Sequence, residues 1–153
     1  MQGVIDLPTE AHSEHWAKRF AREVSRPPLV LAFEGDLGAG KTTLIRAMLR
    51  AWGVVSPIKS PTFSLVESYD CAAFWVHHFD LYRIEDDAEL EDMGFRDYFS
   101  NNSVCCIEWP KHFLQGGVTL DVSLAVGLKG TGREICARAW TSEGERLLSL
   151  IKE

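Results

Sequence analysis

The feature that most constrains the fold is an apolar run, Leu29-Val30-Leu31-Ala32-Phe33, followed almost at once by Gly35-Asp36-Leu37-Gly38-Ala39-Gly40-Lys41-Thr42. An apolar run without alternation predicts a strand buried on both faces, as in a parallel sheet. The stretch after it matches the phosphate-loop pattern G-x-x-x-x-G-K-[ST] in full. Glycine lets the backbone curl until successive amides point inward at phosphate oxygens. Beyond it, Leu44, Ala47, Met48, Ala51 and Trp52 recur at helical spacing, Arg46 and Arg50 lie together on a polar side, and Gly53 supplies a stop. A helix starting at Lys41 aims the positive end of its dipole at the same anion. Lys41 then reaches the β- and γ-phosphates, the Thr42 hydroxyl binds Mg²⁺, and Thr43 adds a hydroxyl near the α-phosphate. The alternative is a plain glycine turn capping a helix. With glycine at about 7% of residues, a chance match in such a chain is on the order of one in two hundred, and the strand–loop–helix context argues against it further.

A site of this kind needs a carboxylate facing the loop to organise Mg²⁺ and water. Glu108 ends the apolar run Val104-Cys105-Cys106-Ile107 and is the first choice. Asp80, in His78-Phe79-Asp80-Leu81-Tyr82, ends another apolar strand, where an acid is costly unless paired or metal-linked. Both are expected on the metal and hydrolysis side. Ser60-Pro61-Thr62 reads either as a turn or as a switch loop whose Thr62 hydroxyl senses γ-phosphate or Mg²⁺. Trp109 reads either as a core residue, the first expectation, or as a ring that reports on nucleotide. His77 and His78 fall on opposite strand faces with no third ligand near, which argues against a metal site. The acidic run from Glu85 to Asp92 reads first as a solvated helix start, with partner docking as the alternative.

Around this centre, residues 3–8 predict a short strand, and Thr9 caps a helix with Trp16, Ala17, Phe20, Ala21 and Val24 on its apolar side. Phe63–Tyr69 and Phe74–Leu81 predict a hairpin turning near Asp70, and residues 85–99 a mainly helical stretch. Thr119–Leu128 and Arg133–Trp140 predict antiparallel strands, and Ser142 the cap of a last short helix. The expected class is α/β: a phosphate-loop NTPase core with a mixed, mainly parallel sheet flanked by helices, plus antiparallel strands, in one domain over residues 1–153.

The 153 residues suffice for one core, and 46% hydrophobic with 25% charged residues excludes a disordered tail or a low-complexity scaffold. The formal charge of −6, from 16 basic and 22 acidic residues, is the wrong sign for a chain that grips nucleic acid by charge alone. No apolar run approaches the ~20 residues of a membrane span, and the N-terminus shows no export signal. Cys71, Cys105, Cys106 and Cys136 form no CxxC pair and read as buried, reduced thiols of a cytoplasmic protein.

The residues leave the kind of NTPase open. No N/T-K-x-D base-reading motif occurs, which favours ATP over GTP, and no dense arginine-bearing lid of a small-molecule kinase stands out. A P-loop kinase, and a switch that binds ATP to dock a partner with negligible hydrolysis, remain alternatives to an ATPase.

Five ordered blocks carry a resemblance. They are Gly35-Asp-Leu-Gly-Ala-Gly-Lys-Thr-Thr43, Lys59-Ser-Pro-Thr-Phe-Ser-Leu-Val66, His78-Phe-Asp-Leu-Tyr-Arg83, Glu91-Asp-Met-Gly-Phe-Arg-Asp-Tyr-Phe99 and Ile107-Glu-Trp-Pro110. Together, over roughly residues 29–110, they resemble the TsaE (YjeE) family, bacterial ATPases needed for threonylcarbamoyladenosine in tRNA. The resemblance implies a cytoplasmic, Mg²⁺-dependent ATPase that works with TsaD and TsaB. Those partners modify the adenosine beside the anticodon in tRNAs reading codons that begin with A. The ATPase resets their assembly through ATP binding and hydrolysis and meets tRNA only through the complex. Matched by motif, Lys41, Asp80, Glu108 and Thr62 are expected to be catalytic, and Thr42, Glu108 and Asp80 to hold the metal. The loop from Gly35 to Thr43 is expected to hold the nucleotide, with Glu10 and Arg133 toward its other end. Phe63 and Ser64 depart from the family's frequent Tyr and Thr, and Val54-Val-Ser-Pro-Ile58 is unusually apolar.

Overall fold

A computed structural model describes residues 2–24, 26–112 and 117–151. Among these, the strands form one seven-stranded sheet in the order β1-β7-β6-β2-β5-β4-β3. The strands are β1 (Gln2–Leu7), β2 (Leu29–Glu34), β3 (Val66–Asp70), β4 (Trp75–Asp80), β5 (Ser103–Glu108), β6 (Val122–Lys129) and β7 (Gly132–Ala139). The helices are α1 (Glu10–Glu23), α2 (Lys41–Ala51), α3 (Asp87–Asp92) and α4 (Ser142–Ile151), with a 3₁₀ turn over Phe95–Tyr98. The centre is parallel: β2 pairs with β5 on one side and β6 on the other, and β4 with β5. Both margins are antiparallel, through β1–β7, β6–β7 and β3–β4. The mixed sheet is therefore as expected, with its parallel strands gathered where the phosphate loop starts.

The apolar runs bury residues on both faces of this sheet. Leu29, Leu31 and Phe33 join the core shared with α1, α2 and α4, while Val30 and Ala32 join the core under α3 and the 3₁₀ turn. Cys106 and Cys105 divide in the same way, which is the period of two along a strand. Phe20, Phe33 and Phe79 are wholly buried, and each such side chain stabilises the fold by about 1.5–3 kcal/mol relative to exposure. Trp52, at the end of α2, donates its indole N–H to the Ala21 carbonyl at 2.9 Å and so locks α2 to α1.

Several local expectations shift. The strand predicted from Phe63 begins only at Val66: Leu65 turns to φ +68, its amide bonds the Pro61 carbonyl at 2.7 Å, and Phe63 stands 81% exposed. The stretch 85–99 is helical only over Asp87–Asp92 and the 3₁₀ turn, because Gly94 at φ +70 breaks it. Thr141, not Ser142, caps α4, accepting from the Gly144 amide at 3.1 Å. Cys105 and Cys106 are buried free thiols, but Cys136 is exposed and Cys71 only half-buried. Burial pushes the Cys105 thiol up to about 12.

Candidate phosphate-binding site

The carboxyl ends of β2, β4 and β5 meet the start of α2. Between β2 and α2, Gly35, Gly38 and Gly40 all take positive φ, at +142°, +79° and +108°. Gly35 also lies against β6, where a Cβ would fall 2.3 Å from the Val126 carbonyl oxygen, so no other residue fits there. The Ala39 amide closes back on the Asp36 carbonyl at 3.0 Å, while Asp36 and Leu37 are exposed at the loop's tip. The first-turn amides of α2 have no carbonyl behind them within the helix, as at any helix start. The loop is held from below by Arg133 of β7, whose guanidinium donates to the Ala39 carbonyl at 2.7 Å and to the Gly38 carbonyl at 3.4 Å.

Lys41 is buried at 4% exposure and donates to the Gly35 carbonyl. Its Nζ also sits 3.6 Å from the centroid of the Trp109 ring. Burial holds its pKa below the ordinary lysine value, against the opposing pull of Glu108, Asp80 and Asp36. Thr42, one residue on, donates to the Glu108 carboxylate with 3.2 Å to each oxygen. Glu108 lies opposite Asp80 in the parallel register of β4 and β5. Asp80 accepts from Thr62 at 3.2 Å through Oδ2 and from the Tyr82 amide at 3.1 Å through Oδ1. Thr62 shares a 2.8 Å hydrogen bond with Ser60. These side chains line a cleft of about 290 Å³, bounded also by Leu37, Gly38, Gly40, Thr43, Trp109 and Arg133. A second cleft of about 210 Å³ adjoins it at Gly40, Thr43 and Arg133 and runs past Thr9 and Glu10.

Lys41, Thr42, Thr62, Asp80 and Glu108 thus converge on one cleft, and Glu10 lies in the neighbouring one, with Thr43 and Arg133 shared by both. Two residues stand elsewhere than the first sequence reading put them. Trp109, expected in the core before the nucleotide side, is half-buried at the cleft with φ +59, and its ring lies 4.9 Å from that of Tyr82. His78 is 1% exposed and contacts Glu108 Oε2 at 2.7 Å. The signal for His78 was its position two residues before Asp80, which puts both on one strand face. For Trp109 no sequence pattern announces a left-handed backbone before a proline.

A match to the family model described as threonylcarbamoyl adenosine biosynthesis protein TsaE spans residues 7–135. The chain belongs to the TsaE family. Among curated TsaE relatives, the one from Haemophilus influenzae is 38% identical over 147 residues, covering 94% of this chain and 93% of that protein. The Bacillus subtilis TsaE is 34% identical over 129 residues, covering 84% and 79%. Both are tRNA threonylcarbamoyladenosine biosynthesis proteins by name. The crystal structure of Bacillus subtilis YdiB superposes with a TM-score of 0.83 at 24% identity, over 99% of this chain and 94% of that one, which establishes the shared fold. The family match takes in the phosphate loop, Asp80, Glu108 and Arg133 of this TsaE-family chain. No helix among the described residues is long and apolar enough to cross a membrane.

Proposed function

We propose that the chain is an ATPase that serves the threonylcarbamoyladenosine modification of tRNA in the cytoplasm, acting with TsaD and TsaB rather than on tRNA directly. The observation that supports it best is the convergence of Lys41, the Thr42–Glu108 pair and the Thr62–Asp80 pair on one cleft at the end of a phosphate loop. The donor set fits ATP with Mg²⁺: an ammonium group and free helix-start amides for phosphate oxygens, and a hydroxyl and two carboxylates, hard oxygen ligands, for the cation. A bound Mg²⁺ neutralises charge on the β- and γ-phosphates.

In this reading Lys41 holds the terminal phosphates, and its burial makes the charge act in a low-dielectric setting. Thr42 and Glu108 orient one side of the phosphate tail, and Asp80 and Thr62 the other. Thr62 belongs to the segment between α2 and β3 that Arg50 pins by donating to the Val54 and Ser56 carbonyls at 2.8 Å each. The hydroxyl of Thr62 thereby reports the terminal phosphate to a surface loop. Arg133, the arginine at the cleft, is engaged with loop carbonyls, so turnover without a partner is expected to be slow.

The test depletes the protein and measures threonylcarbamoyladenosine in bulk tRNA, with wild type, Lys41→Ala or Glu108→Ala supplied in trans. We expect the modification to fall and only wild type to restore it. The purified Lys41→Ala chain is expected to lose ATP binding, and Glu108→Ala to bind ATP without releasing phosphate. Unchanged modification on depletion would refute the pathway assignment. Labelled phosphate found on a metabolite instead of free would favour a kinase.

A further inference from the structure

His78 is a histidine with one polar contact. Two other histidines, His77 and His112, use both ring nitrogens. His77 meets Ser68 at 2.7 Å through Nδ1 and Ser103 at 3.4 Å through Nε2. His112 meets Asp87 at 2.7 Å and the Ile84 carbonyl at 3.1 Å. His78 meets only Glu108, through Nε2, and its Nδ1 is buried with no hydrogen-bond partner. A hydrogen on that walled-in Nδ1 would be buried without an acceptor, which is costly. Nε2 is therefore the nitrogen that carries the hydrogen and donates it.

Glu108 is 3% exposed, and a buried carboxylate needs donors that hold it. The structure supplies two side chains, Thr42 and His78. Thr42 stands on the phosphate loop's own helix, and in the proposed function its hydroxyl turns to the cation. His78 stands on β4, one strand over from Glu108, in a rigid parallel register that sets His78 opposite Cys106 and Asp80 opposite Glu108. It is the partner left to Glu108 when Thr42 is engaged elsewhere. We propose that His78 is a positioning residue for Glu108: its Nε2–H anchors Oε2 from the sheet side, so that the carboxylate keeps one orientation toward the phosphate cleft. This rests on the ATPase reading above and extends it by one residue, with the histidine acting through Glu108 and touching no nucleotide. Outer partners of this kind orient the groups that meet a metal, and their loss characteristically costs 10–100-fold.

The test compares three substitutions. Gln places an amide N–H near the Nε2 position, Asn stops short of it, and Leu removes the donor at similar volume. His78→Gln is expected to keep phosphate release within about three-fold of wild type. His78→Asn and His78→Leu are expected to lose about 10–100-fold in kcat, with ATP affinity by calorimetry unchanged within about three-fold. On the residual phosphate release of Glu108→Gln, read in single turnover, His78→Leu should cost nothing more, because the group it positions is gone. If the leucine variant fails to fold, the Gln–Asn pair carries the comparison. An activity-independent readout is the nitrogen-15 spectrum of the nucleotide-free wild-type chain, in which the His78 hydrogen is expected on Nε2 and its signal to move on Glu108→Gln. Equal kcat in all three variants, losses that multiply with Glu108→Gln, or a hydrogen on Nδ1 would each overturn the positioning role while leaving the ATPase reading intact. A wild-type chain that releases no phosphate even with its partners would overturn both.

Discussion

Lys41 places a positive charge where burial opposes it, and its partners in the structure are those a phosphate would replace or join. The Gly35 carbonyl takes one of its hydrogens and the Trp109 face lies against it, yet the pKa still falls below the usual lysine value because desolvation outweighs Glu108, Asp80 and Asp36. The sign of the consequence follows. A lysine whose folded pKa is depressed binds fewer protons than in the unfolded chain between the two values, so nucleotide-free stability rises with pH across that window. Added phosphate favours the charged ammonium and lifts the pKa back. ATP affinity is therefore expected to be full below the depressed value and to decline as pH climbs through it. Lys41→Met should bind no ATP and be at least as stable as wild type in nucleotide-free urea unfolding. Calorimetric titrations in steps from neutral to alkaline pH check the first; an affinity flat up to the ordinary lysine range would contradict it.

At the scale of elements, the structure is tied by a few sharp junctions. Asp121, just before β6, accepts from the Val30 amide at 2.8 Å and the Thr141 hydroxyl at 2.6 Å, joining β2, β6 and the entry to α4. Gly144 in α4 packs on that junction: a Cβ there would lie 2.0 Å from the Asp121 carbonyl oxygen. Ala is worth about 1 kcal/mol more than Gly in a free helix. Here Gly144→Ala is expected to reverse the sign and destabilise by about 1–3 kcal/mol, read as a lower urea midpoint. ATP affinity should survive, since the cleft lies at the other end of β2. Such junctions were not legible in the sequence, because they depend on which backbone oxygen a folded neighbour brings close. What was legible had a local cause. The run from Leu29 to Phe33 has no polar residue to face water, so it had to lie inside a sheet, and the glycine loop had to start a helix. Thr9 does cap α1, accepting from the His12 amide at 3.2 Å. Asp80 and Glu108 were readable as acids at the ends of apolar strands. The readings failed where a single backbone angle decides: Leu65 at φ +68 delays β3, Gly94 splits a helical stretch, and Trp109 at φ +59 turns an expected core ring toward the cleft.

The whole molecule explains how a protein of a tRNA-modification family can carry a formal charge of −6. Affinity for a polyanion comes from lysine and arginine side chains that displace its counterions. Here many of those side chains already have work inside the fold or on its surface. Arg133 holds the phosphate loop, Arg50 the segment after α2, Lys129 pairs with Asp6 and Glu134, Arg146 with Glu143, and Arg96 with Glu91. Lys41 sits in the cleft. Four acids, Asp87, Glu89, Glu91 and Asp92, meanwhile lie on α3, and Asp80 and Glu108 line the cleft, where they repel phosphate that lacks a cation. On the function proposed above, tRNA would be gripped by the partner proteins, and the nucleotide state of this chain would act on them. The chain alone, mixed with tRNA at physiological salt, is therefore expected to show no retention in a mobility-shift assay up to about 10 µM, within the range of weak non-specific binding. Retention should emerge when the partner proteins are added and should depend on ATP in wild type but not in Lys41→Ala. Tight binding of tRNA by the isolated chain would mean that a cationic face gathers there despite the net charge, and the division of labour would have to be redrawn.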